Sequence, residues 1–329
     1  MSNQIGRRGL VLGGAGIMLA GQARAQAHAQ TAMQMSIATG TTGGVYYPLG
    51  GALANYLSRG IPGMSATAEV TGGSVANFQL LGAARAGMVF GQVDAAVDAI
   101  SGGGPFRGRA VPARAIAVLY TNRMQAVTTA ASGIKSIADL KGKRISTGAP
   151  GSATELFAFR VLAAAGLDRD KDFRARERLS PAESTNAIRD GKLDAYFFVS
   201  GVPTSAITDL AATPGTTIQL IDHADLHAKI VAENGPVYFP EVIPAGTYPG
   251  QTTDNKQLSV ANIIAVHENM APELVTKILE ITWANREDWS KVHAEARNFT
   301  LAGQKTAAAG IPWHPAATAF WTAAGASMG

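Results

Sequence analysis

Short apolar runs alternate along this chain with stretches whose apolar positions recur every three or four residues. The runs at 35–39, 67–70, 88–90, 115–120, 125–129, 144–147, 195–199, 217–221 and 258–266 read as strands. Between them, 47–58, 75–85, 153–165, 181–190 and 204–212 read as helices. The last third turns helical, from 272 to about 293 and again over 316–324. Strands alternating with helices predict an α/β fold built on parallel sheets. Two segments, 115–129 and 258–266, are long for single strands, and each is followed by a loop and a new helix start. If the chain leaves one lobe through the first and returns through the second, lobe 1 holds 33–122 and 267–329. Lobe 2 is then 123–266, hinge strands included. A discontinuous layout of this kind suits hinge closure around a ligand.

Four loops that follow predicted strands are rich in Gly, Ser and Thr. Residues 40–51 (GTTGGVYYPLGG) place a glycine-rich turn before a helix, which leaves backbone N–H groups free for an anion. Thr41 and Thr42 add hydroxyl donors or caps. Of the neighbouring Tyr46 and Tyr47, one is expected to supply a cleft wall and hydroxyl, the other to pack in the core. Residues 71–77 (TGGSVAN) repeat the arrangement, with Ser74 as N-cap and Asn77 on the first turn. Residues 148–155 (GAPGSATE) repeat it again, with Ser152 as cap and Glu155 completing a capping box. In 200–204 (SGVPT), Pro203 suits a first helical turn. One such loop is only a cap. Four at the C-terminal ends of strands in two lobes converge on one cleft, where open α/β sheets bind ligands. Neither a GxGxxG fingerprint nor a GxxxxGK[ST] phosphate loop is present.

The front end adds an address. Arg7 and Arg8 precede an uncharged run over 9–21, and small-x-small sites follow at 23–25 and 25–27. This order predicts a secretory signal peptide over residues 1–25, extending to 27 with the second site. Thirteen uncharged residues with five glycines are too few for a membrane span of about 20. The paired arginines admit the twin-arginine route as well as the general one. Three of the 28 basic residues lie in this segment, and its removal leaves 25 against 24 acidic ones, a net charge of +1 in place of +4. So balanced a chain, without a basic run, gives no reason to expect nucleic-acid binding. The absence of cysteine excludes thiol catalysis, disulfides and cysteine-held iron–sulfur clusters.

Catalytic signals are thin. His223 and His227 are four apart, but Ala224 stands where a metalloprotease needs Glu, and a surface helix is the plainer reading. There is no G-x-S-x-G elbow. Asp94 and Asp98, also four apart, read as a solvated helix face. No cofactor is expected, and the chain is expected not to be an enzyme.

Several quoted stretches, taken in order, resemble a known family. IATGTTGGVYYPLGGALA (37–54), TGGSVANFQLL (71–81), SGIKSIADLKGKRISTGAPGSATE (132–155), AIRDGKLDAYFFVSGVPT (187–204), PAGTYPGQ (244–251) and IPWHPAA (311–317) are similar to the TAXI solute receptors of TRAP transporters. The resemblance implies a type II periplasmic-binding-protein fold, two α/β lobes joined by two crossing strands with a ligand cleft between them. It implies a periplasmic monomer that captures a small anionic solute (glutamate, glutamine or a C4/C5 dicarboxylate-like molecule) for sodium-driven TRAP-type membrane subunits. The alternative output of such a receptor is a membrane histidine kinase. Carried over by motif, the ligand shell comprises Thr41, Thr42, Gly43, Gly44 and Tyr46, then Ser74, Asn77 and Gln92. It continues with Ser152, Ala153 and Thr154, and closes with Gly201, Val202 and Pro203. Gly87, Val93 and Ala76 depart from the family pattern, which commonly has an acidic residue, a small polar residue and glutamate at those places.

Overall fold

Strand β1 (Met33–Ala38) buries its second half and pairs in parallel with β2 (Met64–Glu69) and β3 (Met88–Gln92). The structure is a computed structural model that describes residues 33–329; the expected signal segment lies outside the described residues. All five residues of β3 are buried, as in a strand covered on both faces. Helices α1 (Tyr46–Gly60), α2 (Ser74–Gly82) and α3 (Val93–Ser101) each follow one of these strands. A matching set recurs later in the chain, where β5 (Arg144–Ser146) pairs in parallel with β6 (Ala175–Glu177) and β7 (Ala195–Ser200). Helices α4 (Ala153–Ala164), α5 (Pro181–Arg189) and α6 (Ser205–Ala211) follow these strands in turn.

Two long antiparallel strands join the sets. β4 (Ala113–Thr129) merges the two predicted runs 115–120 and 125–129 into a single strand of 17 residues. β10 (Asn255–His267) lies beside it. The first half of β4 and the last half of β10 belong to the β1–β3 side. Beyond Arg123, β4 pairs with β7 and with β8 (Ile218–Leu220), while the start of β10 pairs with β9 (Tyr238–Ile243). The order through the sheet is β2-β1-β3-β10-β4-β7-β5-β6. Pairing between β4 and β10 slips between Ala261 and Ile263, which leaves Asn262 without a partner on β4 although it still faces Gln92 on β3. Such a break bends a strand and re-aims a side chain.

The apolar pattern missed the pieces with weak patterns. β6 has three residues, and Pro240 interrupts β9, which tolerates it because β9 pairs only with β10. α3 and α7 (His227–Asn234) were also absent from the pattern. The predicted helix from 272 to 293 is two helices, α8 (Pro272–Ala284) and α9 (Arg286–Val292). They part at Asn285, whose side chain donates to the Ile281 carbonyl and so caps the first helix.

His223 and His227 share no helix face. His223 is fully buried ahead of a short 3-10 turn, with Nδ1 on the Ile221 carbonyl (3.0 Å) and Nε2 facing the Leu258 N–H (3.4 Å). Burial pushes its pKa down and keeps the ring neutral. The surface-helix reading is therefore corrected to a structural core histidine.

Short α10 (Thr306–Ala309) and α11 (Pro315–Ala323) complete the chain. Trp321 of α11 is fully buried edge-on to Trp283 (5.6 Å between centroids) and Phe299 (5.7 Å), and its indole N–H donates to the Ile116 carbonyl of β4 at 2.7 Å. This cluster fixes the C-terminal helices onto the crossing strand. Replacing Trp321 by Ala should cost about 3–5 kcal/mol of unfolding free energy, measured by urea titration. A loss below about 1 kcal/mol would show that the cluster does not hold α11 in place.

Candidate ligand-binding cleft

The loops after β1, β2 and β3 face those after β5, β6 and β7 across a cleft with about 510 Å³ of empty volume, its open mouth included. Among the described residues, no Asp, Glu, Lys, Arg or His lines it. Its polarity comes from helix starts, hydroxyls and amides.

Three helices begin at its walls. The first N–H groups of any helix have no partner inside the helix, and those of α1, α2 and α4 lie at lining residues Tyr46, Ser74, Ala153 and Thr154. Ser152 Oγ accepts from the Glu155 N–H (3.0 Å), Ser74 Oγ from the Gln92 N–H (3.1 Å) and Thr154 Oγ1 from the Val199 N–H (3.2 Å). A hydroxyl that accepts in this way retains its own hydrogen to donate. The walls are thus rich in donors and carry the positive ends of three helix dipoles.

The floor is a buried network at the break between β4 and β10. Asn262 Nδ2 donates to the Tyr120 carbonyl (3.1 Å), so Asn262 Oδ1 is the acceptor for Asn122 Nδ2 (2.8 Å) and for the Tyr46 hydroxyl. Burial pushes the Tyr46 pKa far up, so its hydroxyl stays protonated. Phe197 and Phe198 add apolar lining.

The facing edges touch. Ala76 N–H donates to the Gly151 carbonyl (2.9 Å), and Ser205 Oγ to the Gly43 carbonyl (3.3 Å). A Cβ on Gly72 would stand 2.1 Å from the Pro150 carbonyl oxygen, so this approach requires glycine. Beside the cleft, Asp94 and Asp98 of α3 meet Arg160 of α4. Arg160 lies 2.8 Å from the Asp98 carboxylate and 3.6 Å from that of Asp94, and Tyr238 donates to Asp94 at 2.9 Å. The solvated-face reading of Asp94 is thereby corrected, since its side chain is buried in a bridge between two helices.

Of the residues expected in the ligand shell, Thr41, Gly44, Tyr46, Ser74, Gln92, Ser152, Ala153 and Thr154 line the cleft. The others stand elsewhere. Thr42 is exposed, and Gly43 packs on Pro181 and Ala206. Asn77 lies behind the lining and donates to the carbonyls of Ala38, Thr39 and Phe90, which ties β1 to β3. Gly201 lies against Glu295 and Tyr120, Val202 donates its N–H to Glu295, and Pro203 accepts from His293, so all three face the C-terminal segment. Ser74 is not the N-cap of α2; Gly73 is, at φ +123°. Glu155 closes no capping box, because its carboxylate pairs with Arg178 (2.7 Å to Nη2). Pro203 precedes the N-cap Thr204 of α6 instead of occupying its first turn. Tyr47 is 37% exposed and fills no core.

Asn122, Phe198 and Ser200 line the cleft unannounced by the sequence. Ser200 and Phe198 belonged to a predicted loop and strand that had already been singled out, whereas Asn122 fell between two apolar runs and carried no signal.

This is the fold class of periplasmic binding proteins, two βα sets flanking a cleft on shared strands. The chain belongs to the NMT1-like family, which it matches over residues 37–325. It superposes on a protein from Bordetella bronchiseptica RB50 with a TM-score of 0.52, at 20% identity over 80% of this chain and 76% of that one. It superposes equally, at 0.52, on the binding-protein component of an ABC phosphonate transporter from Pseudomonas aeruginosa, at 13% identity over 82% and 80% of the two chains. Both similarities concern the fold. Among the described residues, no helix is long and apolar enough to cross a membrane, and no three His, Asp or Glu side chains are grouped to hold a metal ion.

Burial raises the Asp94 carboxyl above its ordinary value of 3.8, against the opposing pull of Arg160 and Tyr238. The folded chain therefore binds this proton more tightly than the unfolded chain does. The contribution is complete below 3.8 and is lost as pH rises through the folded value. Relative to Asp94→Asn, the wild-type chain should lose stability as pH is raised from 3.8 to about 7, read from urea midpoints at each pH. A difference that stays flat or grows with pH would contradict the raised value.

Proposed function

We propose that this chain is an extracytoplasmic solute-binding protein that captures a small anionic solute and delivers it to membrane transport subunits. The observation that carries the reading is a cleft walled by three helix N-termini and three donor hydroxyls, with no charged side chain among the described residues of its lining. An anion can be held there by N–H and O–H groups alone. Among the described lining residues no nucleophile–base pair is present, which favours capture over turnover. The lobes are the two sides of the sheet, hinged where β4 and β10 cross. Their edges meet at Gly72 and Pro150 in the closed form that a membrane partner would read.

The finer reading is a periplasmic TAXI-type receptor that works as a monomer with TRAP-type subunits, after export by an N-terminal signal. The six quoted motifs, which span 37–317, support it. The shared fold of an ABC phosphonate-transporter component keeps ABC-type membrane subunits as the competing partner. Uptake that follows a sodium gradient rather than ATP hydrolysis would favour the TRAP-type partner.

The test is a thermal and urea denaturation screen of the purified chain against carboxylates, 2-oxo acids, amino acids, sulfonates and phosphonates. A native-state ligand at 100 times its dissociation constant should add about 2.7 kcal/mol of stability, and mass spectrometry should recover it unchanged. A chain stripped of ligand that responds to no anion would remove the capture reading, and chemical conversion of the ligand would replace it with an enzyme.

A further inference from the structure

The family resemblance implied glutamate, glutamine or dicarboxylate-like ligands, which differ in the charge at the end away from the shared carboxylate. The cleft floor distinguishes these classes. Asn262 is oriented by its donation to a backbone carbonyl, which can only accept, so Asn262 presents Oδ1 to Asn122. Asn122 must then use Nδ2 on that oxygen, and its own Oδ1 remains the free end of the amide. That atom is buried, on a side chain 2% exposed, and has no hydrogen-bond partner among the described residues. Gln92, 3% exposed in the same lining, likewise has an unpartnered Oε1, and its amide nitrogen makes no bond to the described residues. Buried acceptors left unpaired are costly, and a ligand that supplies N–H or O–H donors relieves that cost.

Resting on the receptor reading, we infer that the solute carries one anionic group and, at its other end, a neutral hydrogen-bond donor such as a primary amide or hydroxyl. The anion sits at the helix starts of α1, α2 and α4. The neutral donor meets Asn122 Oδ1 and the Gln92 amide. A second carboxylate would set oxygen against the Asn122 oxygen without a cation to balance it, because no Lys, Arg or His among the described residues lines the cleft. An ammonium group would enter without a carboxylate partner, because no Asp or Glu among the described residues lines it either. An unsubstituted alkyl end would leave both acceptors unpaired.

Calorimetric titration with five probes of similar length tests this. Glutaramate and 5-hydroxypentanoate carry one carboxylate and a neutral donor; glutarate adds a second carboxylate, glutamine adds an ammonium, and pentanoate lacks the donor. At least one of the first two should bind about tenfold or more tighter than the other three. The variant Gln92→Glu adds a carboxylate without breaking a protein hydrogen bond of the side chain. It should weaken glutaramate about tenfold and raise the affinity of glutamine relative to it. Equal or tighter binding of glutarate, glutamine or pentanoate, or unchanged ratios in Gln92→Glu, would overturn the assignment and leave the receptor reading standing. Silence from all five probes, with binding of some other anion, does the same. Silence toward every anion ends both.

Discussion

The crossing of β4 and β10 is the constraint on which the rest of the molecule depends. Each strand is hydrogen-bonded into both sides of the sheet, so the two sides share these strands as their only continuous framework among the described residues. At the crossing, regular pairing fails for Asn262, and its amide is satisfied instead by Tyr120, Asn122 and Tyr46. An unsatisfied amide at this depth would be expensive, so the network also fixes which way the Asn262 and Asn122 amides are turned. The break in the ladder thus determines the polarity of the floor. The same strand receives the indole N–H of Trp321, which ties the C-terminal helices to the crossing.

Electrostatics are divided between the cleft and its flank. Among the described residues, charged side chains are kept out of the cleft lining, where desolvating an ion without a partner would be costly. They are gathered beside it, where Arg160 joins Asp94, Asp98 and Tyr238 and so links α3 with α4. The cleft retains the partial charges of helix starts, which need no side-chain ordering and are fixed when the helices form. Contact between its edges is carried largely by backbone, through Ala76 with Gly151 and through the tight fit of Gly72 on Pro150.

Much of the architecture was legible in the sequence because burial on both faces gives continuous apolar runs, as in β3 and β7, and these mark themselves. The loops around Thr41, Ser74 and Ser152 were legible because Gly, Ser and Thr next to a strand have few alternative explanations. What escaped depends on distant partners. Asp94 looked solvated because its cation, Arg160, lies far along the chain. Glu155 looked like a capping residue until Arg178 claimed it. Asn122 bore no local mark, since its role comes from a register slip on another strand. Gly201, Val202 and Pro203 follow β7 as a cleft loop would, yet Glu295 and His293 draw them toward the C-terminal segment.

The seat built from main-chain N–H groups at α1, α2 and α4 has a bearing on descent. No single substitution can delete a backbone donor except one to proline, so the seat passes intact to any descendant that keeps these helix starts. Side chains such as Gln92, Asn122 and Phe198, by contrast, are free to drift. If the cleft takes an anion as proposed, copies of this gene that diverge would retain that appetite for negative charge and differ in the shape and polarity of what is attached to it. On the proposed anion reading, the charge preference is a property of the scaffold, and the choice of molecule belongs to a few exchangeable residues.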